Sequence, residues 1–147
     1  MSKVITFSKV FPCYHPRKGD LTLFADKVLL SLNEMQTGDD LYPKGHTIRS
    51  GHRWKEGEWF SPRQWSDKPY RSKQEIITSD ILIKRIYNFR IKDFRFWLNG
   101  YSIGSTSPTM KEIAKNDGLE LNDLIEWFRY PNDFDGQIIC WRDIKYL

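Results

Sequence analysis

The sequence predicts an α+β domain in which strands outnumber helices. The predicted elements run strand, helix, loop, several strands, two short helices and a final strand, so helices and strands do not alternate. This order disfavours a doubly wound parallel sheet, which needs regular alternation. The 147 residues are enough for one hydrophobic core and too few for two. We therefore expect a single domain over residues 1–147, with a barrel-like arrangement of strands.

The first third of the chain predicts one strand, one helix and one loop. Residues 3–8 (KVITFS) contain a β-branched run that is typical of a strand. Apolar residues then recur at helical spacing over residues 21–32, which predicts an amphipathic helix of about three turns. We expect residues 37–40 (TGDD) to end this helix. Residues 42–51 should form an exposed loop that leads into or out of a short strand.

The middle of the chain predicts strands. Residues 58–65 and 74–84 are assigned to two strands, and the alternation of the second continues toward Ile91. Residues 94–103 predict a β-hairpin, because Asn99-Gly100 is the dipeptide most typical of a type I′ turn.

Two short helices and a strand are predicted at the end of the chain. Ser107-Pro108 is typical of a helix start, with serine as the N-cap and proline at the first helical position. Residues 116–118 (NDG) should end this helix, because glycine readily adopts the left-handed cap conformation. A second helical stripe covers residues 121–128 and stops at Pro131. The apolar residues 134–141 predict a strand in the interior of a sheet.

Charge and composition limit the classes of function. The formal net charge is +4, but residues 44–73 carry a local net charge of +5 and residues 110–135 one of −4. Such segregation favours one surface that faces a polyanion, the alternative being a mixed solvated surface. No apolar run reaches the ~18 residues of a membrane-spanning helix. The N-terminal residues lack the pattern of a secretion signal, and two cysteines indicate a reduced, cytoplasmic protein with no membrane partner.

Aromatic residues make up 15% of the chain, and several lie within the basic segment. Cations that contact phosphates and flat rings that stack on bases are together typical of proteins that bind single-stranded nucleic acid. For any single ring the alternative is packing in the core. We predict that Arg53, Trp54, Lys55 and Trp65 contact RNA.

The pattern K-x-x-T-x-R at residues 44–49 is the strongest candidate for chemistry. Alternate side chains of an extended segment share a face, so Thr47 and Arg49 should point the same way. The glycine after Lys44 lets the amine approach the hydroxyl. A candidate base, a hydroxyl nucleophile and an anion-binding guanidinium would then converge, although phosphate binding would use the same residues. His46, within the pattern, is a candidate ligand contact.

The sequence predicts neither a metal site nor a cofactor. Cys13, His15, His46 and His52 lack the C-x-x-C and H-x-x-x-H spacings of zinc sites. The glycine-rich loops that bind nucleotides are absent from the sequence. Cys140 lies in an apolar strand and is expected in the core.

Several short segments occur in the order found in a known family. They are residues 5–7 (ITF), the K-x-x-T-x-R element, residues 54–58 (WKEGE), residues 116–119 (NDGL), the helix at 121–128 and residues 137–141 (QIICW). With these segments the chain resembles the ASCH domain family of the PUA-like superfamily. The resemblance implies a small mixed β-barrel with helices packed against it, and a cleft beside residues 44–49. It also implies RNA as a partner, because PUA-like domains mostly bind RNA.

Small bacterial ASCH proteins similar to this chain include amidohydrolases that deacetylate N4-acetylcytidine with a lysine, a threonine and a glutamate. Carried over residue by residue, the lysine is Lys44 and the threonine is Thr47. Asp117 stands where the family has glutamate, and Tyr42 where it has glycine. The chain also carries additional residues near 53–73 and 92–103, the latter an added β-hairpin. These additions suit a ligand larger than a free nucleoside, or a different substrate.

Three functions are consistent with these residues. In the first, neutral Lys44 accepts the Thr47 proton, the hydroxyl attacks an N-acyl carbonyl on a base, Arg49 stabilises the oxyanion, and Asp117 handles the proton of the leaving amine or of water. In the second, a non-catalytic module binds RNA or a modified base. In the third, a ribonuclease stabilises a phosphorane with the same lysine, threonine and arginine. The partner in all three is RNA or a modified nucleoside.

Overall fold

The computed structural model describes residues 3–33, 41–129 and 133–147. These residues form three helices and nine strands and confirm the predicted α+β class. The helices are α1 (Phe24–Ser31), α2 (Pro108–Asn116) and α3 (Leu121–Trp127). The strands are β1 (Lys3–Phe7), β2 (His46–Ser50), β3 (Trp59–Trp65), β4 (Gln74–Ile76), β5 (Ile81–Leu82), β6 (Arg85–Lys92), β7 (Arg95–Leu98), β8 (Tyr101–Ile103) and β9 (Asp133–Cys140).

The strands form two sheets rather than the expected barrel. In the four-stranded sheet, β3 pairs in parallel with β1 and antiparallel with β4 and β5. The five-stranded sheet has the order β2-β9-β6-β7-β8, and its pairs are antiparallel. Within the described residues neither sheet closes on itself. Among the described residues, β1 and β2 belong to different sheets and do not pair with each other. A side chain connects them instead, since the Arg49 guanidinium donates to the Thr6 carbonyl at 2.7 Å.

The larger sheet buries one face of β6 and both faces of much of β9. Along β6 the buried residues Tyr87, Phe89 and Ile91 alternate with exposed ones, the pattern of a strand with one solvated face. β9 is continuously buried over its last five residues and pairs with β2 on one side and β6 on the other. The prediction of an interior strand at residues 134–141 is therefore confirmed.

Trp141, which follows β9, joins the two sheets and α1 in one core. Its ring lies 6.1 Å from that of Phe7 in β1 and 5.6 Å from that of Phe60 in β3. Its indole Nε1 donates to the Ser31 hydroxyl at 2.9 Å, which satisfies a buried donor. Residue 141 is only 2% exposed, so this contact lies at the centre of the molecule.

The predicted caps and turns of the second half are confirmed. Ser107 is the N-cap of α2, and its side chain accepts a hydrogen bond from the Met110 backbone N–H at 3.2 Å. Gly118 follows the helix with φ +78°, in the left-handed region. Asn99 and Gly100 both have positive φ, as a type I′ turn requires, and connect β7 to β8.

Two predicted elements are wrong and a third begins later. Residues 74–84 do not form one strand, because the chain turns between β4 and β5. The turn comes just after the Ile77 N–H has extended the β3–β4 pairing by donating to the Pro62 carbonyl. Residues 42–51 are not an exposed loop, because β2 pairs with the buried strand β9. The first helix starts at Phe24 rather than residue 21, because Leu23 has φ +59°.

The residues predicted to end two of the helices are not among those that the structure describes. α1 ends at Ser31, and the stop expected at residues 37–40 lies outside the described residues. Pro131 lies outside them as well.

The two predicted additions form strands of both sheets. Residues 53–73 contain β3, the strand with which β1, β4 and β5 all pair, and residues 92–103 contain β7 and β8. None of the helices in the described ranges has the length and hydrophobicity needed to cross a bilayer.

Gly136 of β9 gives a test of the packing between β9 and β2. A Cβ at this position would overlap the Arg49 carbonyl and lie 2.8 Å from the Phe134 ring, so backbone would have to move. We expect Gly136→Ala to lower the free energy of unfolding by about 2–3 kcal/mol, as overpacking does. Urea unfolding of the variant and the wild type measures this difference in the free energy of unfolding. Gly104→Ala is the control, because its nearest neighbour is 3.6 Å away, and equal stability of the two variants would contradict the described pairing.

Candidate functional site

A cavity of about 110 Å³ lies where β1, β2 and the C-terminal end of α2 meet. Its polar lining residues are Ser8, Lys44, Thr47, Arg49 and Asp117. Aromatic and aliphatic side chains complete the wall, namely Phe7, Phe24, Ile48, Leu119, Trp127 and Phe128. Pockets that enclose drug-sized ligands are ~300–1,000 Å³, so this cavity accommodates a small group and not a whole nucleoside.

Lys44 is fully enclosed and its amine is held by one residue. Nζ donates to the Asp117 carboxylate oxygen Oδ1 at 2.9 Å and to the Asp117 backbone carbonyl at 2.8 Å. The amine also lies 4.2 Å from the centre of the Phe24 ring, a cation–π distance. The residue is 2% exposed, so Lys44 and Asp117 form a buried ion pair. The predicted proximity of this amine and this carboxylate is thus present.

The protonation of Lys44 is set by two opposing effects. Burial disfavours the charged amine and lowers the pKa of Lys44 to about 8, while the Asp117 charge and hydrogen bond partly oppose this. Arg49 and Lys27 lower it further by repulsion. A lysine in water has a pKa of about 10.4. The Lys44 amine therefore exchanges a proton much closer to neutral pH than an ordinary lysine.

Asp117 occupies the C-cap of α2, which directs it toward Lys44. The following Gly118 has φ +78°, and a Cβ there would lie 3.3 Å from the Lys44 Cβ. Glycine is therefore required both by the turn and by the close approach of the two segments. Burial alone would raise the pKa of Asp117, but Lys44 and the His46 hydrogen bond outweigh it and lower the pKa below its ordinary value. The carboxylate is ionised at neutral pH.

Thr47 and Arg49 share a face of β2, as the sequence predicts. Arg49 Nε donates to Thr47 Oγ1 at 3.1 Å, and the guanidinium stacks on Phe7 at 5.2 Å. Burial lowers the pKa of Arg49 to about 10, so the guanidinium remains charged at neutral pH. A hydroxyl and a fixed cation are therefore adjacent on the cavity wall.

His46 does not line the cavity. The side chain is completely buried, with Nδ1 at 3.2 Å from Asp117 Oδ1 and Nε2 at 2.6 Å from the Tyr146 hydroxyl. The predicted ligand contact of His46 is thus replaced by a contact with a site residue. Sequence reasoning did not find Tyr146, because it lies 100 residues away along the chain and belongs to no recognisable pattern.

A second, wider cavity of about 350 Å³ adjoins the first. The two share Phe7, Ser8 and Arg49. Its outer wall contains Trp65 and Tyr70, whose ring centres are 5.2 Å apart. Tyr70 is 87% exposed, so a face of this aromatic pair is open to a ligand. Arg49 therefore lies between a small polar chamber and a larger aromatic groove.

The remaining predicted binding residues divide into two groups. Arg53 is exposed and lines a third cavity together with Arg49 and Tyr70. Trp54 borders the same cavity, but it is only 3% exposed and packs against Phe60 in the core, so little of its ring is accessible to a base.

Lys55 is exposed, but it lines none of the three cavities described above. Its predicted RNA contact stays a prediction for the surface outside these cavities, whereas Arg53 and Trp65 line cavities that also contain Arg49. Across the described ranges no three His, Cys, Asp or Glu side chains converge as metal ligands would. Cys140 is buried as expected, and its pKa is raised by burial to about 12.

Comparisons with known proteins return no relative. No model of a protein family matches the chain, and neither the curated proteins nor the solved structures include a significant match. The similarity to ASCH domains therefore stays a prediction from the sequence segments, and the chemistry of the site must be argued from its own geometry.

Removal of the Asp117 carboxylate tests the buried ion pair. Asp117→Leu would leave the Lys44 amine buried without its counter-charge, and we expect a loss of about 3–5 kcal/mol in the free energy of unfolding at neutral pH. Chemical denaturation measures it. Asp135→Leu is the matched control. Asp135 forms an exposed pair with His52, so its loss should lower the free energy of unfolding by less than about 1 kcal/mol. Equal losses would show that Asp117 does not stabilise a buried cation.

Proposed function

We propose that the protein is an ASCH-type amidohydrolase that removes an acyl group from the amino nitrogen of a nucleobase. The supporting observation is the buried Lys44 amine, paired with Asp117 on the wall of the cavity that Thr47 also lines. These are the base, the carboxylate and the nucleophile that the predicted reaction requires. With two free cysteines, the proposed place of action is the reducing cytoplasm.

Lys44 supplies the base in this reaction. With a pKa of about 8, roughly a tenth of the amine is neutral at pH 7, compared with less than a thousandth of an ordinary lysine. The neutral amine takes the proton from the Thr47 hydroxyl as Oγ1 bonds to the acyl carbon. The carbonyl oxygen then carries the negative charge of the tetrahedral intermediate.

Arg49 is the group that faces this charge. Its guanidinium is already fixed beside Thr47 Oγ1 and by the Thr6 carbonyl, so it needs no reorganisation during the reaction. Its positive charge persists at neutral pH because its pKa is about 10. A preorganised cation in a largely enclosed cavity stabilises a developing oxyanion more than water does.

Asp117 completes the proton transfer. The protonated Lys44 passes its proton, through the Oδ1 contact of 2.9 Å, to the leaving nitrogen as the C–N bond breaks. The acyl group is then an ester of Thr47. Water attacks this ester, its proton returns through Asp117 and Lys44 to Thr47, and a carboxylic acid leaves. Each proton lost in one step is restored in the next, so the enzyme ends unchanged.

The two cavities suggest how the substrate is divided. The inner chamber of about 110 Å³ holds the acyl group against Thr47, and the groove of about 350 Å³ holds the base against Trp65 and Tyr70. A planar ring stacked on an aromatic pair contributes ~1–3 kcal/mol. This arrangement suits an acylated base carried on a nucleotide or an RNA strand.

A second candidate function is binding of RNA or a modified base without catalysis. The observation that favours it is the pairing of the exposed Tyr70 with Trp65 next to Arg49 in the second cavity. Tyr70 and Arg49 also line the third cavity together with Arg53, so aromatic rings and cations share adjoining surfaces.

The ribonuclease hypothesis would use the same Lys44, Thr47 and Arg49. It is less favoured because His46 is enclosed by Asp117 and Tyr146 and so is not available in the cavity as an acid or base.

Substitution of Lys44 and Thr47 tests the proposed chemistry. We expect Lys44→Met and Thr47→Val each to lower kcat/KM for an N-acylated cytidine about 10²–10⁴-fold, the contribution of a general base or its nucleophile. Release of the free amine is followed by chromatography, after circular dichroism has shown that each variant folds. Lys111→Met and Thr106→Val, both exposed and distant from the cavity, are the matched controls.

Two results would contradict the proposal. One is equal hydrolysis by the wild type and by both cavity variants. The other is absence of turnover in the wild type together with tight, salt-dependent binding of single-stranded RNA, which would establish the second function instead.

The pH dependence of hydrolysis reports the titration of Lys44. Because the reactive form is the neutral amine, kcat/KM should rise about tenfold per pH unit below pH 8 and level off above it. Initial rates from about pH 6 to pH 9.5 measure this. A profile that is flat or falls across this range would contradict a role for the Lys44 amine as base.

A further inference from the structure

A continuous chain of hydrogen bonds leads from the C-terminal segment to the cavity. It joins Tyr146 Oη to His46 Nε2 at 2.6 Å, His46 Nδ1 to Asp117 Oδ1 at 3.2 Å, and Asp117 Oδ1 to Lys44 Nζ at 2.9 Å. His46 has no exposed surface and is absent from the cavity wall. It therefore acts on a substrate only through Asp117.

The partners of His46 assign its protons. The ionised Asp117 carboxylate only accepts, so His46 Nδ1 carries a hydrogen. Burial lowers the pKa of His46, so the ring is neutral and Nε2 is bare. Nε2 must then accept from the Tyr146 hydroxyl, whose pKa is raised by burial and which keeps its proton. The Asn116 amide donates to the same hydroxyl at 3.0 Å. The Glu112 carbonyl is a competing acceptor at 3.5 Å, but the His46 contact at 2.6 Å is much shorter, so the phenol proton is directed to His46.

The hydrogen-bond chain adds a second donor to the Asp117 oxygen that accepts from Lys44. The carboxylate is already directed by the α2 C-cap, yet its oxygen Oδ1 is shared by an amine and an imidazole N–H. Donation by Tyr146 to Nε2 makes the Nδ1–H more acidic and strengthens its bond to the carboxylate. A reacting side chain whose partner is oriented by a third hydrogen-bonded group is a recurring feature of hydrolytic sites.

We infer that Tyr146 and His46 are positioning residues that hold the Asp117 carboxylate ionised and aimed at the Lys44 amine. The effect of these residues on catalysis rests on the proposed function. The His46 tautomer and the Asp117 titration are measurable without any substrate. The charged and titratable groups that face Asp117 and His46 are Lys44, Arg49, Lys27, Tyr146 and Cys140.

The first test determines the tautomer of His46 in the wild-type protein. Long-range nitrogen–proton correlation spectra of ¹⁵N-histidine-labelled protein should show His46 neutral from about pH 7 upward, with Nδ1 protonated and Nε2 bare, because burial lowers the pKa of His46. The exposed His52, which pairs with Asp135, gives a second histidine signal for comparison in the same spectra. A His46 ring protonated on Nε2, or one that becomes doubly protonated in this range, would overturn the inference.

The second test follows the Asp117 carboxyl carbon through an acid titration in variants. In His46→Leu the carboxylate loses its N–H donor, so the pKa of Asp117 should rise. Tyr146→Phe should raise it by less, and His46→Asn, whose amide replaces the Nδ1–H donor, should restore it toward the wild type. His52→Leu and Tyr101→Phe, both at exposed residues, are the matched controls.

An unchanged Asp117 titration in both His46→Leu and Tyr146→Phe would overturn the inference. If His46→Leu does not fold, the Asp117 titration is compared among the wild type, Tyr146→Phe and His46→Asn. On an acylated nucleoside, kcat/KM should fall about 10- to 100-fold in His46→Leu and recover in His46→Asn, as for groups that orient a site residue. Absence of turnover in the wild type would contradict the proposed function alone, because both spectroscopic tests remain decisive.

Discussion

The buried ion pair between Lys44 and Asp117 is the interaction around which this site is organised. Two charges removed from water cost several kcal/mol each unless they meet in good geometry with further hydrogen bonds. Here the amine donates twice to one residue, and the carboxylate receives a second donor from His46. The pair thus remains charged in the protein interior, while burial brings the pKa of the amine toward neutrality.

The fold supplies this pair from two distant parts of the chain. The segment before β2 carries Lys44, and the end of α2 carries Asp117, with Gly118 permitting the approach between them. Pairing of β2 with the buried strand β9 then fixes Thr47 and Arg49 at the same cavity. The absence of a β1–β2 ladder within the described residues leaves the space in which Arg49 bridges the two sheets.

Local signals in the sequence predicted the parts of this structure that depend on neighbouring residues. The Asn99-Gly100 turn and the shared face of Thr47 and Arg49 follow from backbone geometry alone. The contact of Lys44 with Asp117 spans 73 residues, and only the resemblance to a family suggested it. Tyr146 could not be found, since a tyrosine near the end of a chain has no periodicity or spacing that marks it. The burial of β2 was mispredicted because its polar residues find hydrogen-bond partners inside the protein, most of them in other segments.

The most direct test of this account is the titration of the Lys44 amine by nuclear magnetic resonance. Lysine labelled with ¹³C and ¹⁵N gives a separate signal for a buried amine, and its shift is followed from about pH 6 to pH 11. The account predicts a midpoint at about pH 8, well below the other lysines, and a lower midpoint in Asp117→Asn, where the opposing charge is gone. A Lys44 midpoint near 10.4 in the wild type, unaffected by Asp117→Asn, would contradict it.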